Sequence, residues 1–132
     1  MTTTRSLPVN IARQHGIFNL LNGIWPLAHR RSFEALLGPK VDRWLVYAVS
    51  GLLISIGASQ LWVRDATDAQ HARRIGIGAA ATLAAIDVIY VARGRISPMY
   101  LIDALIESGW LTAWATTTSC PEPVQSQNGL KV

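Results

Sequence analysis

Cysteine is almost missing from this 132-residue chain, and the single Cys120 excludes an internal disulfide and any CxxC metal or redox motif. Histidine is nearly as scarce. His15, His29 and His71 show neither HxxxH nor HExxH spacing, so no metal site is expected. No Gly-rich phosphate loop occurs, and Ser50 and Ser108, each beside a glycine, lack a GxSxG context and a base. The expectation is a protein that is not an enzyme and carries no cofactor. Charge is thin too, at 15% of residues. Without a helix-turn-helix, RNP or zinc-finger pattern, the net charge of +4 does not point to nucleic acid. The basic residues instead come in short clusters between apolar runs (Arg30 and Arg31, Lys40 and Arg43, Arg73 and Arg74, Arg93 and Arg95), as in loops that flank membrane spans.

What is present is apolar. Half of all residues are hydrophobic, too many for an ordinary small soluble domain. They fall into four helical segments, about 11–28, 44–63, 75–92 and 99–115, read as one membrane domain over 1–116. The fold expected is all-α, an integral-membrane four-helix bundle with a short interfacial helix after the first span. Met1 to Asn10 read as a flexible head, and 117–132 as a disordered tail without apolar period. The first segment is interrupted by Asn19, Asn22 and Pro26 and followed by His29-Arg30-Arg31, which suits a retained helix rather than a cleaved signal. Pro26 should bend or end it.

Ser32 to Leu37 fits an interfacial helix with Ser32 as N-cap and Gly38-Pro39 as stop. Trp44 to Val63 is the clearest span, about the 20 residues that a bilayer core requires, with Trp44 and Trp62 as anchors. On it, Gly51, Ser55 and Ser59 form a ridge of small residues for close helix approach, and Gly76, Ala80 and Ala84 repeat the device on the third segment. Arg64 to Arg74 reads as a polar loop. In the last turn Gly94 is placed for a left-handed cap, Ser97 to cap the next helix and Pro98 for its first turn. In a four-span layout the twelve basic residues divide six and six between the two sides, so the positive-inside rule assigns no orientation.

The hairpin from Ile75 to Thr116 carries three acids, Asp87, Asp103 and Glu107, inside membrane-length segments. Carboxylates are costly in hydrocarbon and need a protein interior, a wet cavity or a proton. Counted from the turn, Asp87 and Asp103 lie at about the same depth, roughly 8 Å in. Glu107 is one turn deeper on the same face as Asp103, in a stripe with Tyr100, Trp110 and Trp114. Acid lined by aromatic faces suits an organic cation, a proton or the head of an amphiphile. The plainer alternative for Asp87 and Asp103 is an ion-pair latch with Arg93 and Arg95 at the hairpin mouth. Glu107 has no sequence-local cation, which makes it the first choice for function. On the first segment His15, Asn19 and Asn22 share a face, for helix packing or to line a pocket with Glu107.

Through Leu36-Leu37-Gly38-Pro39-Lys40-Val41-Asp42-Arg43-Trp44-Leu45-Val46, Ala85-Ile86-Asp87-Val88-Ile89-Tyr90 and Arg93-Gly94-Arg95-Ile96-Ser97-Pro98-Met99-Tyr100-Leu101-Ile102-Asp103-Ala104, the chain resembles small bacterial four-helix membrane proteins with a DoxX-like layout. The resemblance runs from about Gly16 to Trp114. It implies four spanning helices, the first included, and carries no catalytic residues.

The sequence thus leads to a multi-pass cell-membrane protein whose partner is the lipid bilayer. The expected role is non-enzymatic, a binding or accessory component with a pocket of Glu107, Asp103, Trp110, Asn19 and Asn22 for a small amphiphile, cation or proton. The alternative is a structural subunit that docks another membrane protein, or its own copy, through the small-residue faces.

Overall fold

The computed structural model describes residues 3–119 as five helices: α1 (Thr3–Ala28), α2 (Arg30–Leu37), α3 (Arg43–Leu61), α4 (Ala66–Ala92) and α5 (Tyr100–Ala115), closed by a 3-10 turn over Thr116–Ser119. No strand occurs among the described residues. The most extensive packing joins α1 to α3, the α4–α5 hairpin comes next, and α1 also touches α2, α4 and α5. Glycines set the first of these contacts. A Cβ on Gly57 would stand 2.6 Å from the Gly16 carbonyl oxygen, and one on Gly23 2.7 Å from that of Ser50. Neither distance is compatible with a side chain.

Several boundaries differ from the sequence expectation. α1 begins at Thr3, so most of the expected head is helical. Val9 packs on a small core of Ile11, Ala12, Val63, Ala69, Ala72 and Trp114, which gives that segment something to fold against. Pro26 lies in the last turn of α1 and the helix ends two residues later. The expected loop from Arg64 to Arg74 is largely the start of α4, opened by Asp65, whose carboxylate accepts the Asp68 N–H at 2.9 Å. α2 is capped not by Ser32 but by His29, whose Nδ1 accepts the Ser32 N–H at 3.3 Å, while the Ser32 hydroxyl accepts the Trp25 indole N–H at 2.8 Å. Gly38 and Gly94 do take positive φ, 86° and 63°, and Ser97 Oγ accepts the Met99 N–H. Of the expected tail, 117–119 continue from α5 as the 3-10 turn; 120–132, with Cys120, lie outside the described residues.

The distribution of polarity is inverted. His15, Asn19, Ser50, Gln60, Asp87 and Glu107 are buried, whereas Leu21, Leu52, Leu105 and Ile102 face outward. Leu105 is 73% exposed and Glu107, two residues on, 0%. The outward hydroxyls of Ser55, Ser59, Thr82, Ser108 and Thr112 each donate to the carbonyl four residues back in their own helix, at 2.7–2.9 Å. By length and composition, α3 and α4 are each apolar enough to cross a membrane. α1 has the length but carries Gln14, His15, Asn19 and Asn22, and α5 has 16 residues.

The two ridges part company. Gly76 and Ala80 face the interior, whereas Gly51, Ser55 and Ser59 face outward, and nothing lies within 4 Å of a Cβ built on Gly51. Gly57→Leu is therefore expected to force α1 from α3 and cost about 1–3 kcal/mol or more. Gly51→Leu should cost less than about 0.5 kcal/mol. Thermal midpoints of the two variants in detergent compare them, and equal losses would contradict this packing.

Candidate functional site

All four long helices meet at His15. On α1, His15 and Asn19 stand four residues apart and share a buried face. The α5 stripe supplies Glu107, Trp110 and Trp114, α3 supplies Gln60, and α4 passes with Gly76. A Cβ on Gly76 would lie 2.7 Å from Gln60 Nε2, 2.9 Å from Trp114 Nε1 and 3.0 Å from His15 Nδ1. Glycine there is what lets the three polar groups converge beside the α4 backbone.

The Trp114 indole N–H donates to His15 Nδ1 at 3.0 Å, and the Gln60 amide donates to the same nitrogen at 3.3 Å. An indole N–H can only donate, so Nδ1 carries no proton and the neutral ring holds its proton on Nε2. Gln60 Oε1 in turn accepts the Asn19 side-chain N–H at 2.9 Å. Trp110 stacks on the imidazole, with centroids 4.7 Å apart and planes 16° from parallel, and Phe18 lies 5.8 Å from the Trp110 ring. The ring's orientation is thus held by two hydrogen bonds and a stacking partner.

Nε2 faces Glu107 Oε2 across 4.0 Å, and both side chains are fully buried. That separation is too long for a hydrogen bond and short enough for one small polar atom to bridge. Five buried atoms here have no partner among the described residues: both Glu107 oxygens, His15 Nε2, Trp110 Nε1 and Asn19 Oδ1. Each such group costs about 1–3 kcal/mol. Two N–H donors and a carboxyl, all unpartnered, therefore converge on one interior region.

A second cluster lies toward the α2 end. Asp87 on α4 and Asp103 on α5 are neighbours across the hairpin, close enough for the charge of one to act on the other. Asp87 is buried, with Oδ2 unpartnered, and Asp103 is half-buried. The cation beside them is Lys40, whose Nζ donates to the Leu37 carbonyl at 3.2 Å and lies 4.4 Å from the Tyr100 ring centroid. Burial holds the Lys40 ammonium below its ordinary pKa, and the charges of Glu34 and Asp87 act in the opposite direction.

Two sequence expectations require correction. Neither Arg93 nor Arg95 forms an ion pair with Asp87 or Asp103 among the described residues; the ion-pair contacts present are His15 with Glu107 and Arg30 with Glu34. Arg93 instead lies over the Tyr90 ring at 5.8 Å, and Arg93 and Arg95 are both exposed. Asn22 is half-buried and outside the network, about 10 Å along α1 from His15. Glu107, Trp110 and Asn19 do come together, with Asp103 one turn away on α5. Sequence reasoning missed Gln60 altogether and gave Trp114 no role beyond the stripe. The available signal was that Gln60 is the sole side-chain amide in the apolar run of α3.

Compared with protein-family models, curated proteins and solved structures, the chain matches none.

The network predicts the His15 tautomer. In protein labelled with ¹⁵N-histidine, NMR should show the Nε2–H form, and a proton on Nδ1 would contradict the assignment. Trp114→Phe keeps most of the ring and removes the donor, and it should cost about 1 kcal/mol in detergent denaturation.

Proposed function

We propose that α1, α3, α4 and α5 all cross the membrane as a multi-pass four-helix bundle in the cell membrane, with α2 on its surface. In this arrangement the interior around Glu107 and His15 is a binding site for a small amphiphile, cation or proton. The role is non-enzymatic, that of a binding or accessory component. The layout is the one that likeness to DoxX-like proteins implies.

The observation that carries the site is Glu107, 0% exposed, with both oxygens unpartnered and His15 Nε2 4.0 Å away. A carboxyl kept in that state costs stability, and intramembrane acids that persist at such a cost mark function by default. Support for lipid as the surrounding solvent comes from the inverted polarity and the outward hydroxyls bonded within their own helices. Two of the helices meet the length and apolarity of a span unaided. α1 would present Leu21, Ile24 and Leu27 outward while hiding His15 and Asn19.

A second reading, a structural subunit that docks another membrane protein or its own copy, is favoured by one observation. The Gly51, Ser55 and Ser59 ridge is exposed, and nothing lies within 4 Å of a Cβ built on Gly51. Gly51→Leu should then abolish crosslinked oligomers in membranes, and unchanged crosslinking would remove this alternative.

The binding site is tested with dicyclohexylcarbodiimide, an apolar reagent that adds to protonated carboxyls. In carbonate-washed membranes it should modify Glu107, and Glu107→Gln should abolish that adduct. Glu107→Leu should raise stability by about 1–3 kcal/mol, because a buried ionisable group is exchanged for an apolar one. A chain extracted by carbonate, an unmodified Glu107, or a Glu107→Leu variant less stable than the parent would each refute the proposal.

A further inference from the structure

Groups left out of the binding site line up with those inside it. Along α5, Tyr100, Asp103, Glu107, Trp110 and Trp114 recur every three or four residues and cover about 21 Å of helix axis. Exposure falls in the same direction, from half-buried Asp103 to Asp87 at 4% and Glu107 at 0%. The titratable and charged groups that face this line are His15 from α1, Asp87 and Arg73 from α4, Arg73 through the Trp114 carbonyl, and Lys40 from the connection before α3, with Glu34 of α2 beside Lys40. α3 contributes only the amide of Gln60.

Beyond His15 no further carboxyl or imidazole is buried among the described residues: Arg73 donates to the Trp114 carbonyl at 3.3 Å, and Asp68 and His71 are exposed. To carry a proton from the cleft to Glu107, the ring would have to take one at Nδ1 as it released the one on Nε2 to the carboxylate, and the reverse transfer would have to leave through Nδ1. Nδ1 is the nitrogen to which the Trp114 and Gln60 N–H groups both donate, and neither group exchanges protons as an acid or base near neutral pH. Gln60 is also the inner wall of a surface cleft of about 370 Å³ between α3 and α4, rimmed by Trp62, Asp68 and His71. Gln60 thus lines the cleft and bonds His15 Nδ1, with Val63 and Ala72 of the Trp114 core beside it.

We propose that Asp103, Asp87 and Glu107 form a proton path that opens at the Lys40 end and is closed at the His15 end by Gln60 and Trp114, so that Glu107 exchanges protons with one side of the membrane only. The path rests on the membrane-spanning binding site proposed above and takes the proton as its ligand. Each hop breaks one carboxyl O–H bond as another forms on the next carboxylate, directly or through a water. The donor is left as the carboxylate that receives the following proton, and total charge is unchanged. The unpartnered oxygens of Asp87 and Glu107 are the acceptors such hops require.

Two measurements on the full chain in sealed phosphatidylcholine–phosphatidylglycerol liposomes test the route. With pyranine inside and the potential clamped by valinomycin and K⁺, parent liposomes should lose an imposed pH gradient no faster than empty ones. The double variant Gln60→Ala with Trp114→Phe should lose it several-fold faster, and adding Glu107→Gln should restore the parent rate. A leaking parent, a tight double variant, or a leak that survives Glu107→Gln would overturn the proposal. The second measurement does not depend on the double variant folding. After transfer to D₂O, the infrared carboxyl band assigned to Glu107 by its loss in Glu107→Gln should exchange several-fold more slowly in Asp103→Leu than in the parent. Gln60→Ala should leave that rate unaltered. Equal rates in Asp103→Leu and the parent overturn the route while the binding site stands, whereas absence of the Glu107 band overturns both.

Discussion

Four helices converge on one nitrogen. His15 Nδ1 accepts from α5 through Trp114 and from α3 through Gln60, and α4 comes close enough only because residue 76 has no side chain. Remove that acceptor, and the indole and the amide are left as buried donors with nothing to bind, each at about 1–3 kcal/mol. The same two bonds dictate which nitrogen carries the proton, so a packing constraint becomes a chemical one. Nε2–H is presented to Glu107 because Nδ1 is occupied.

Solvent decides why such a core is tolerated. In water, a chain that buries His15, Asn19, Gln60, Asp87 and Glu107 while exposing Leu21, Leu52 and Leu105 would give up its main driving force for folding. In lipid the outward leucines cost nothing, and association falls to close packing and polar contacts between helices. The contacts observed are of that kind. Gly16, Gly23 and Gly57 bring α1 and α3 together backbone to backbone, and the His15 network joins them to the hairpin. The proposed membrane location and the polar interior are in that sense one claim about where water is absent.

Much of this was legible in the residues. The positions of Asp87, Asp103 and Glu107 within apolar runs marked the hairpin interior, and helical periodicity put Glu107 with Trp110. Gly94 announced its left-handed turn, and Gly38 the end of α2. Gln60 was hidden because an amide near the end of an apolar run looks the same whether it faces headgroups or a histidine 45 residues away. The arginine latch failed for a related reason: sequence proximity of Arg93 to Asp87 says nothing of whether the long side chain folds inward or lies over the Tyr90 ring. The Gly51 ridge was as regular as the one that packs, since periodicity reveals a face without revealing what covers it. Close approach was achieved instead at Gly57, where the partner glycines lie on a different helix and leave no local pattern.

The unpartnered atoms are the remaining physical problem. Trp114 and Gln60 satisfy Nδ1, and Asn19 satisfies Gln60 Oε1, so the same helices are able to pair buried polar groups where pairing is wanted. Both oxygens of Glu107, Nε2 of His15, Nε1 of Trp110 and Oδ1 of Asn19 are left open. A packing role would be served better by leucine at position 107, which fills space without demanding a partner. The division between a satisfied half that fixes the imidazole and an open half that faces the carboxyl is what a site for an exchangeable ligand requires: rigid support on one side, unmet hydrogen-bonding capacity on the other.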